Sequence, residues 1–455
     1  MRSFLTIALL LLLFSHPEPV RSATPADDQA ADSLSSPQQA YLHIRGLERE
    51  AKPGLEKWRD IVLYFPLNLY YAVRNATGYG ARLVNDAKFI DHLQDFFFTE
   101  DGRFGWYPVL DAASDYRPRI GLNLIMARPD WQGLLKGKIA GAKKYRAEIR
   151  LSHRFHIGRR IYRTTLAALT EYDDDLEFHG IGAIPARDQR SAFRPNRNQN
   201  SGIYFQRRTQ LQLITGIRPS RLWEIFWTSY FRRRTISDGD RSPQRLGAIF
   251  DLTRLPGVDA PMSTIYNELS VRYDNRDAAL YLAPGVRTEV YLGLAHGLSG
   301  TRHSIMRAGL DMMGILPVLL DNRLIVPRVI FDTLFNLREH EPIPFTEYPR
   351  HPFFRGVSRR TILRADQYSL TSSLEYQWPL SFNLSAHLFF DALFVGRRPA
   401  LFTLENAPWA FGAGLDYHMR DGELARGTLS YGSEGFEIIV NIGFDPLQNS
   451  RGDWD

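Results

Sequence analysis

The chain has 455 residues, a formal net charge of +6, 13% aromatic and 23% charged residues, and no cysteine. Without cysteine it has no disulfide bond, thiolate metal site or lipid-modified cysteine anchor. The composition fits a secreted globular protein, and it equally fits a transmembrane β-barrel, whose alternating faces average to a mildly hydrophilic total rich in aromatic residues.

Residues 1–23 have the three parts of a secretory signal peptide, with Arg2, an apolar run over residues 4–14, and small residues at Ser22 and Ala23. The apolar run is too short for a membrane-spanning helix, which needs about 20 residues. We expect an exported chain not to bind nucleic acid. Its basic charge suits anionic lipid headgroups or an anionic solute instead.

The next segments precede the strands. Residues 24–54 begin with a stretch rich in Ala, Asp, Ser and Pro, and we predict a disordered periplasmic leader. Residues 55–100 place apolar residues such as Trp58, Ile61 and Phe65 at helical spacing. This spacing predicts two amphipathic helices that pack against the rim or lumen of the following domain, or lie on the membrane surface.

Residues 101–444 form a succession of amphipathic strands separated by turn residues. We predict sixteen strands, at about 103–110, 118–127, 143–154, 161–171, 175–184, 202–215, 221–234, 264–274, 286–296, 302–314, 323–336, 369–378, 383–394, 408–418, 423–431 and 435–444. The predicted fold class is therefore an all-β transmembrane β-barrel of about 16 antiparallel strands, with a short helical N-terminal segment before it and a tail at 445–455.

The predicted strand at 143–154 shows why one face of each strand must contact water. Tyr145 and Ile149 alternate with Arg146, Glu148 and Arg150. An Arg or Lys at the middle of the bilayer costs roughly 2–4 kcal/mol, so these charges must face the lumen. The lumen is predicted to be polar with a basic bias, either as a solvated wall or as a ligand site.

Two long connections, 186–200 and 237–261, are polar and are predicted to be mobile, solvated extracellular loops that could also contact an outside partner. Residues 341–352 contain four prolines. This content excludes a central strand and favours a stiff, extended approach to the next segment.

The segment 352–395 carries the most informative pattern. Leu370, Ser372, Leu374, Tyr376 and Trp378 share one face of a strand, and Thr371, Ser373, Glu375 and Gln377 share the other. The next strand alternates in the same way, so that Glu375 and Asp391 both point to the polar side. Upstream, Arg355 and Gly356 place a cation on a flexible hinge that could fold back onto these carboxylates.

The sequences FFRGV (353–357), SLEYQWPL (373–380) and LFFDALFV (388–395) resemble a loop and two strands of the BamA/TamA outer-membrane assembly superfamily, also called the bacterial surface antigen family. The resemblance implies that the loop tip enters the lumen, where Arg355 meets Glu375 and Asp391 as a latch. It also implies a location in the outer membrane of a Gram-negative-type bacterium. No POTRA-like repeat is visible before the strands, so the chain resembles POTRA-less members.

The last predicted strand alternates Phe436, Ile438, Val440, Ile442 and Phe444 with Glu437, Ile439, Asn441 and Gly443. Its segment Asn441 to Phe444 resembles the aromatic-ended terminal strand that barrel-assembly machinery recognises. We therefore take Phe436, Asn441, Gly443 and Phe444 as a terminal strand signal. Pairing of this strand with the first, around 104–110, would close the barrel at a weak seam, because Pro108 cannot donate a ladder hydrogen bond.

No motif of a nucleophile elbow, zinc protease or P-loop is present, and we expect no enzymatic activity, no cofactor and no metal site. A Ser/His pair assembled across strands remains open. The leading hypothesis is insertion or translocation of protein or lipid at the outer membrane. Its predicted partners are outer-membrane lipids, with lipopolysaccharide among them, and the barrel-assembly machinery. The alternatives are a passive channel with a basic lumen for small anionic solutes, and a structural surface antigen.

Overall fold

The computed structural model describes Phe97, Thr99 and residues 103–442, except for 114–115, 141–143, 159, 196, 198, 240–243, 259–260, 277–282, 301, 319, 339–340, 352, 358–360, 381–383 and 420–421. The predicted signal peptide, leader, terminal residues Gly443 and Phe444, and tail lie outside the described residues. So does all but a small part of the predicted helical segment at 55–100. Within the described residues, none of the helices has the length and apolar character needed to cross a membrane.

Seventeen strands form one sheet. They are β1 Phe104–Ala113, β2 Tyr116–Ala127, β3 Trp131–Ile139, β4 Tyr145–Ile157, β5 Arg160–Phe178, β6 Gly202–Arg218, β7 Trp223–Asp238, β8 Met262–Asp274, β9 Gly285–Ser299, β10 Ser304–Val318, β11 Leu320–Asn336, β12 Thr361–Ile362, β13 Tyr368–Pro379, β14 Leu384–Gly396, β15 Trp409–Met419, β16 Gly422–Gly432 and β17 Gly435–Ile442. The short connections include a single helical turn at Leu246–Ile249.

Sixteen of these strands form the barrel wall. Each pairs antiparallel with its neighbours, β11 pairs directly with β13, and β1 pairs with β17 to close the ring. The exception is β12, which pairs parallel with Glu177 and Phe178 at the end of β5, beyond the part of β5 that pairs with β4. The predicted all-β barrel of sixteen antiparallel strands is thus confirmed.

Two strand predictions are wrong: one strand is missing from the prediction, and one long strand is predicted as two. The total of sixteen is therefore unchanged. The structure has β3 at Trp131–Ile139, where no strand was predicted. It has one long strand, β5, in place of the predicted strands at 161–171 and 175–184. The polar residues Asp173 to Asp175 do not end β5, because they form a bulge within it.

The two faces of the wall alternate as predicted. In β4, Ile149 and Leu151 are 47% and 42% exposed on the outside, whereas Arg146 and Arg150 are buried on the inside. The same alternation places Glu375 and Asp391 inside the barrel, between apolar residues that face outward. An apolar outer surface and a polar interior are the arrangement that a bilayer requires of a barrel.

The two ends of the barrel differ. The long connections 179–201, 239–261 and 337–367 all leave the same end, which we call the long-loop end. The opposite end carries shorter connections, such as 219–222 and 275–284. Short turns on one side and long loops on the other are typical of outer-membrane barrels, in which the long loops face the cell exterior.

The three long connections pack together, so several of their apolar residues are buried rather than solvated, and the predicted mobility stays a prediction. With the adjoining strand ends they form one hydrophobic cluster, which we call the cap. Its buried members are Leu176, Phe178, Ile181, Tyr204, Ile236, Leu246, Ile249, Phe250, Leu255, Met262, Phe345, Ile362 and Ala365. Backbone bridges join Ile181 to Ala365 and Phe193 to Phe250. The polar residues of these loops therefore surround a compact apolar core at this end.

Candidate functional site in the barrel lumen

The connection 337–367 leaves the rim and enters the lumen. Its proline-rich first half forms a 3-10 turn at Phe345–Glu347 and no wall strand, as the prolines predicted. Glu347 is anchored by two arginines on the inner face of β7: Arg232 Nη2 donates at 2.7 and 2.6 Å, and Arg234 Nη1 donates at 3.0 Å. Burial raises the pKa of Glu347, but the two arginines outweigh it and lower this pKa to about 2.

The second half of the connection delivers Arg355 to the inner faces of β13 and β14. Its Nε and Nη2 donate to Asp391 at 2.8 and 2.7 Å, and its Nη1 donates to Glu375. Nη2 also donates to the Ser373 hydroxyl at 2.9 Å, and the Ser430 hydroxyl of β16 donates to the Arg355 carbonyl at 2.7 Å. Burial alone would lower the pKa of Arg355, but the adjacent carboxylates raise it. The structure thus brings together the three residues that the resemblance paired.

An aromatic ring and a glycine complete this contact. The Arg355 guanidinium lies over the Phe389 ring, 3.6 Å from its centroid, in a cation–π arrangement. A Cβ atom added to Gly356 would lie 2.7 Å from the Phe354 ring and 3.0 Å from the Ala410 Cβ. Gly356 is therefore needed for close packing, and its flexibility as a hinge stays a prediction.

A second arginine extends the network along the wall. Arg426 of β16 contacts Glu375 at 3.6 Å and donates from Nε to Asp416 at 2.6 Å. Asp416 in turn contacts the Nδ1 atom of buried His387 at 2.8 Å. Glu375, His387 and Asp416 are close enough together to hold a metal ion. Their oxygens are already neutralised by Arg355 and Arg426, so the geometry favours an ion-pair network over a cation site.

Other charges in the lumen follow the same rule. Arg287 and Arg328 share Asp311, Arg307 pairs with Asp332, and Arg272 pairs with Glu224 and Glu289. The basic residues that the sequence placed in the lumen are thus balanced by carboxylates across neighbouring strands. Such interstrand pairs stiffen the wall and leave less excess positive charge for a mobile anion.

The seam between β1 and β17 has four paired positions within the described residues: Leu110 with Ile442, Asp111 with Asn441, Ala112 with Val440, and Ala113 with Ile439. On its other side, β17 has eight paired positions with β16. The predicted pairing of first and last strands is confirmed from Leu110 to Ala113, and the partners of residues 104–109 would lie beyond Ile442, outside the described residues. Phe436 faces outward and is 60% exposed.

The wall, the inward loop and the arginine contact occur in the order that the resemblance implied. The described residues fold as a closed antiparallel barrel with a loop attached to its inner wall. No family model matches the chain, and no curated protein matches it. Among solved structures, similar barrels include BamA from Haemophilus ducreyi lacking POTRA domains 1–3, at 11% identity and TM-score 0.49, covering 75% of this chain and 70% of that chain.

Two further solved structures are each similar over 75% of this chain. CdiB from Acinetobacter baumannii has 9% identity and a TM-score of 0.45, with 60% of that chain covered. A bacterial polysaccharide outer membrane secretin has 9% identity and a TM-score of 0.37, with 98% of that chain covered.

A Ser/His pair across strands does occur, at Ser304 of β10 and His296 of β9, where Oγ lies 2.9 Å from Nδ1. Ser304 is only 5% exposed. No carboxylate is hydrogen-bonded to His296 within the described residues, so the pair lacks the orienting group of a hydrolytic triad. This pair does not support an enzyme.

Four contributors to the site were not identified from the sequence: Ser373, Phe389, Arg426 and Ser430. Ser373 and Phe389 lie on the predicted inward faces, two residues away from Glu375 and Asp391 respectively. That spacing could have indicated them. Arg426 and Ser430 lie on β16, and their approach to the loop depends on the curvature of the wall, which alternation does not reveal.

Proposed function

We propose that this protein is an outer-membrane barrel that inserts or translocates protein or lipid by opening the seam between β1 and β17. The observation that supports this most is the attachment of the inward loop to the wall beside the seam. Arg355 joins the loop to β13, β14 and β16, and β16 is the neighbour of β17. A loop fixed at this place can hold the strands beside the seam in register.

The seam is the place where the two ends of the wall meet. Within the described residues, β17 pairs with β1 from Leu110 to Ala113, and backbone pairing alone joins these two strands, whereas a short connection also joins β16 to β17. Opening here would expose a strand edge toward lipid, where an incoming strand could pair. The partners proposed for this activity are outer-membrane lipids, including lipopolysaccharide, and the barrel-assembly machinery during biogenesis.

A passive anion channel is supported less well. The loops of the cap pack together at the long-loop end, and the lumen arginines described above are paired with carboxylates. Open pores of this size conduct steadily because water fills their lumen. A packed cap and a lumen with balanced charges suit a barrel that functions through a structural change in its wall, and they suit steady conduction of anions less well.

The proposal is tested by reconstituting the purified protein into lipid vesicles and adding an unfolded eight-strand outer-membrane barrel as client. We expect the client to become protease-resistant faster than in protein-free vesicles. Planar-bilayer conductance of the same preparation tests the channel. A large, steady, anion-selective current without faster client folding would overturn the proposal in favour of the channel.

A further inference from the structure

The connection 397–408 between β14 and β15, which we call the rim segment, differs from the three loops of the cap. Its Leu404 side chain is 83% exposed and its Leu401 side chain is 53% exposed. The cap loops of the same end bury their large apolar residues in a common core. Two exposed leucines on one short segment form an apolar surface that a second apolar environment would stabilise.

The rim segment lies over the outside of the wall. The ring of Phe402 packs against Phe394 with centroids 5.9 Å apart, and Phe394 belongs to the outward face of β14. Trp409, Phe411 and Tyr431 follow on the outer face, with centroids 5.9 to 6.4 Å apart. Aromatic clusters at this height of a barrel mark the boundary between hydrocarbon and headgroups. Leu401 and Leu404 belong to the segment that leads from β14 to this aromatic cluster.

The charge of the segment suits the same boundary. Arg397 and Arg398 are exposed, and the single carboxylate of the segment, Glu405, is exposed as well, which leaves one net positive charge. Arg398 has an extended backbone, with φ of −146° and ψ of 146°, so it continues the strand direction of β14 toward the headgroup side. Cations next to exposed leucines are the combination that binds anionic lipids.

The inner side of the rim segment is fixed to the cap. Arg364 Nη1 donates to the carbonyl of Asn406 and, at 2.8 Å, to the carbonyl of Ala183. The Asn406 side chain donates to the Thr403 hydroxyl at 3.0 Å. These contacts hold the backbone of the segment, so the exposure of Leu404 is a property of a positioned loop.

We propose that the rim segment is a lipid-binding surface, in which Leu401 and Leu404 enter the acyl region and Arg397 and Arg398 bind phosphate groups of anionic lipids in the leaflet at the long-loop end. The ligand class is a phosphate-bearing lipid with a net negative charge. This inference takes from the proposed function only that the apolar band of the wall lies in a bilayer.

The chain has no cysteine, so single cysteines can carry an environment-sensitive fluorophore. The test places it at Leu404→Cys, with Leu292→Cys on the outer face of β9 as the lipid reference and Arg254→Cys on the cap as the water reference. Vesicles contain phosphatidylcholine with a nitroxide at carbon 5. We expect quenching at 404 of about twofold, because an interfacial side chain enters roughly 5–10 Å into the boundary.

The outcomes separate the two claims. Quenching at 292 with none at 404 overturns the lipid-binding surface and leaves the proposed function intact. Absence of quenching at both positions shows that the band is not in the bilayer, and then both claims fail. Iodide in the water should quench position 254 and spare position 404.

The charge is tested by comparing nitroxide-labelled phosphatidylglycerol with nitroxide-labelled phosphatidylcholine, using the fluorophore at 404. Because each arginine near an anionic surface contributes about fivefold in association, we expect the labelled anionic lipid to be enriched by roughly that factor or more. The double variant Arg397→Gln/Arg398→Gln should lose this enrichment. The matched variant Arg187→Gln/Arg254→Gln, which removes the same charge from the cap, should keep it. Equal enrichment in both variants would overturn the role of Arg397 and Arg398.

Discussion

Arg355 contacts Asp391 through three separate N–H groups: the backbone N–H donates at 3.0 Å, Nε at 2.8 Å and Nη2 at 2.7 Å. Asp391 is completely buried, so it has no access to water in place of these donors. The planar guanidinium donates from Nε and Nη2 to Asp391 and from Nη1 to Glu375. A lysine ammonium has no such fork.

This geometry predicts that Arg355→Lys is nearly as damaging as Arg355→Ala. Removing one partner of a buried pair costs roughly 3–5 kcal/mol, and water in the lumen should bring the loss to the lower end. The measurement is urea unfolding of the folded barrel in detergent. The double variant Arg355→Ala/Asp391→Ala should lose less than the sum of the single losses. Single variants with the stability of the unmodified protein would show that no latch exists.

The close packing at Gly356 gives a prediction with a control in the same chain. Gly356→Ala should displace Phe354 or Ala410, and overpacking of this kind typically costs about 1–3 kcal/mol. Gly427→Ala should be tolerated, because an added Cβ there meets no atom within 4 Å. Hydrogen exchange of residues 353–357 is the measurement. If the two variants exchange alike, Gly356 serves only as a flexible hinge.

Acid should loosen the cap. Burial lowers the pKa of His351 to about 4 from its usual 6.5, and its Nε2 lies 3.2 Å from the Arg364 carbonyl. The unfolded loop therefore binds a proton more readily than the folded loop. Stability from neutral His351 is complete above pH 6.5 and falls by roughly 1–3 kcal/mol as the pH drops toward 4. Glu347, whose pKa is lowered to about 2 from 4.5, adds a loss only below pH 4.5.

The measurement is hydrogen exchange of residues 341–367 at pH 7 and pH 5, corrected for the intrinsic exchange rate. His351→Gln should remove most of the difference between the two pH values. Residues 286–290, at the end of β9 opposite to the cap, serve as the internal control and should not respond. A difference that survives His351→Gln would assign the effect to another group.

The packing of the cap core indicates which substitution should weaken the cap and so open the pore. Phe345 is fully buried and contacts Phe178 and Tyr204 with ring centroids 4.6 and 5.2 Å apart. Phe345→Ala should destabilise the cap by about 3–5 kcal/mol, which is the usual loss for a buried phenylalanine. We expect more frequent current openings in planar bilayers than for the unmodified protein. Leu292→Ala, on the outer wall, should leave the current unchanged; equal currents in all three proteins would show that the cap does not close the pore.

The alternation of apolar and polar residues along each strand predicted the barrel wall, because the bilayer outside and the water inside favour opposite polarity at neighbouring residues. It failed where other contacts override the local pattern. The strand β3 contains Gly133 and Gly137, which weaken a strand signal. The three aspartates of β5 resemble a turn, yet Lys144 pairs with Asp173 and Asp175 and keeps them in the wall.

The cap could not be predicted from the polar composition of its loops. Its core is built from a few apolar residues in each of several distant parts of the chain, such as Ile181, Phe250 and Phe345. Only the fold brings these groups together. The contact of Arg355 with Glu375 and Asp391 could be predicted because these three residues have a recognisable sequence context. Arg426 and Ser430 have no such context.

The central claim is that the seam between β1 and β17 opens during function, and a disulfide across it is the most direct test. Ala112 and Val440 are partners at the seam, and Val440 is also the partner of Gly427 on the other side of β17. The pair Ala112→Cys/Val440→Cys therefore locks the seam, and Gly427→Cys/Val440→Cys locks an interior pair with the same residue.

The measurement is the rate of client folding in reconstituted vesicles, before and after reduction. The account predicts that the seam disulfide abolishes the acceleration, that reduction restores it, and that the interior disulfide has no effect. Full acceleration with the seam disulfide formed would contradict the account.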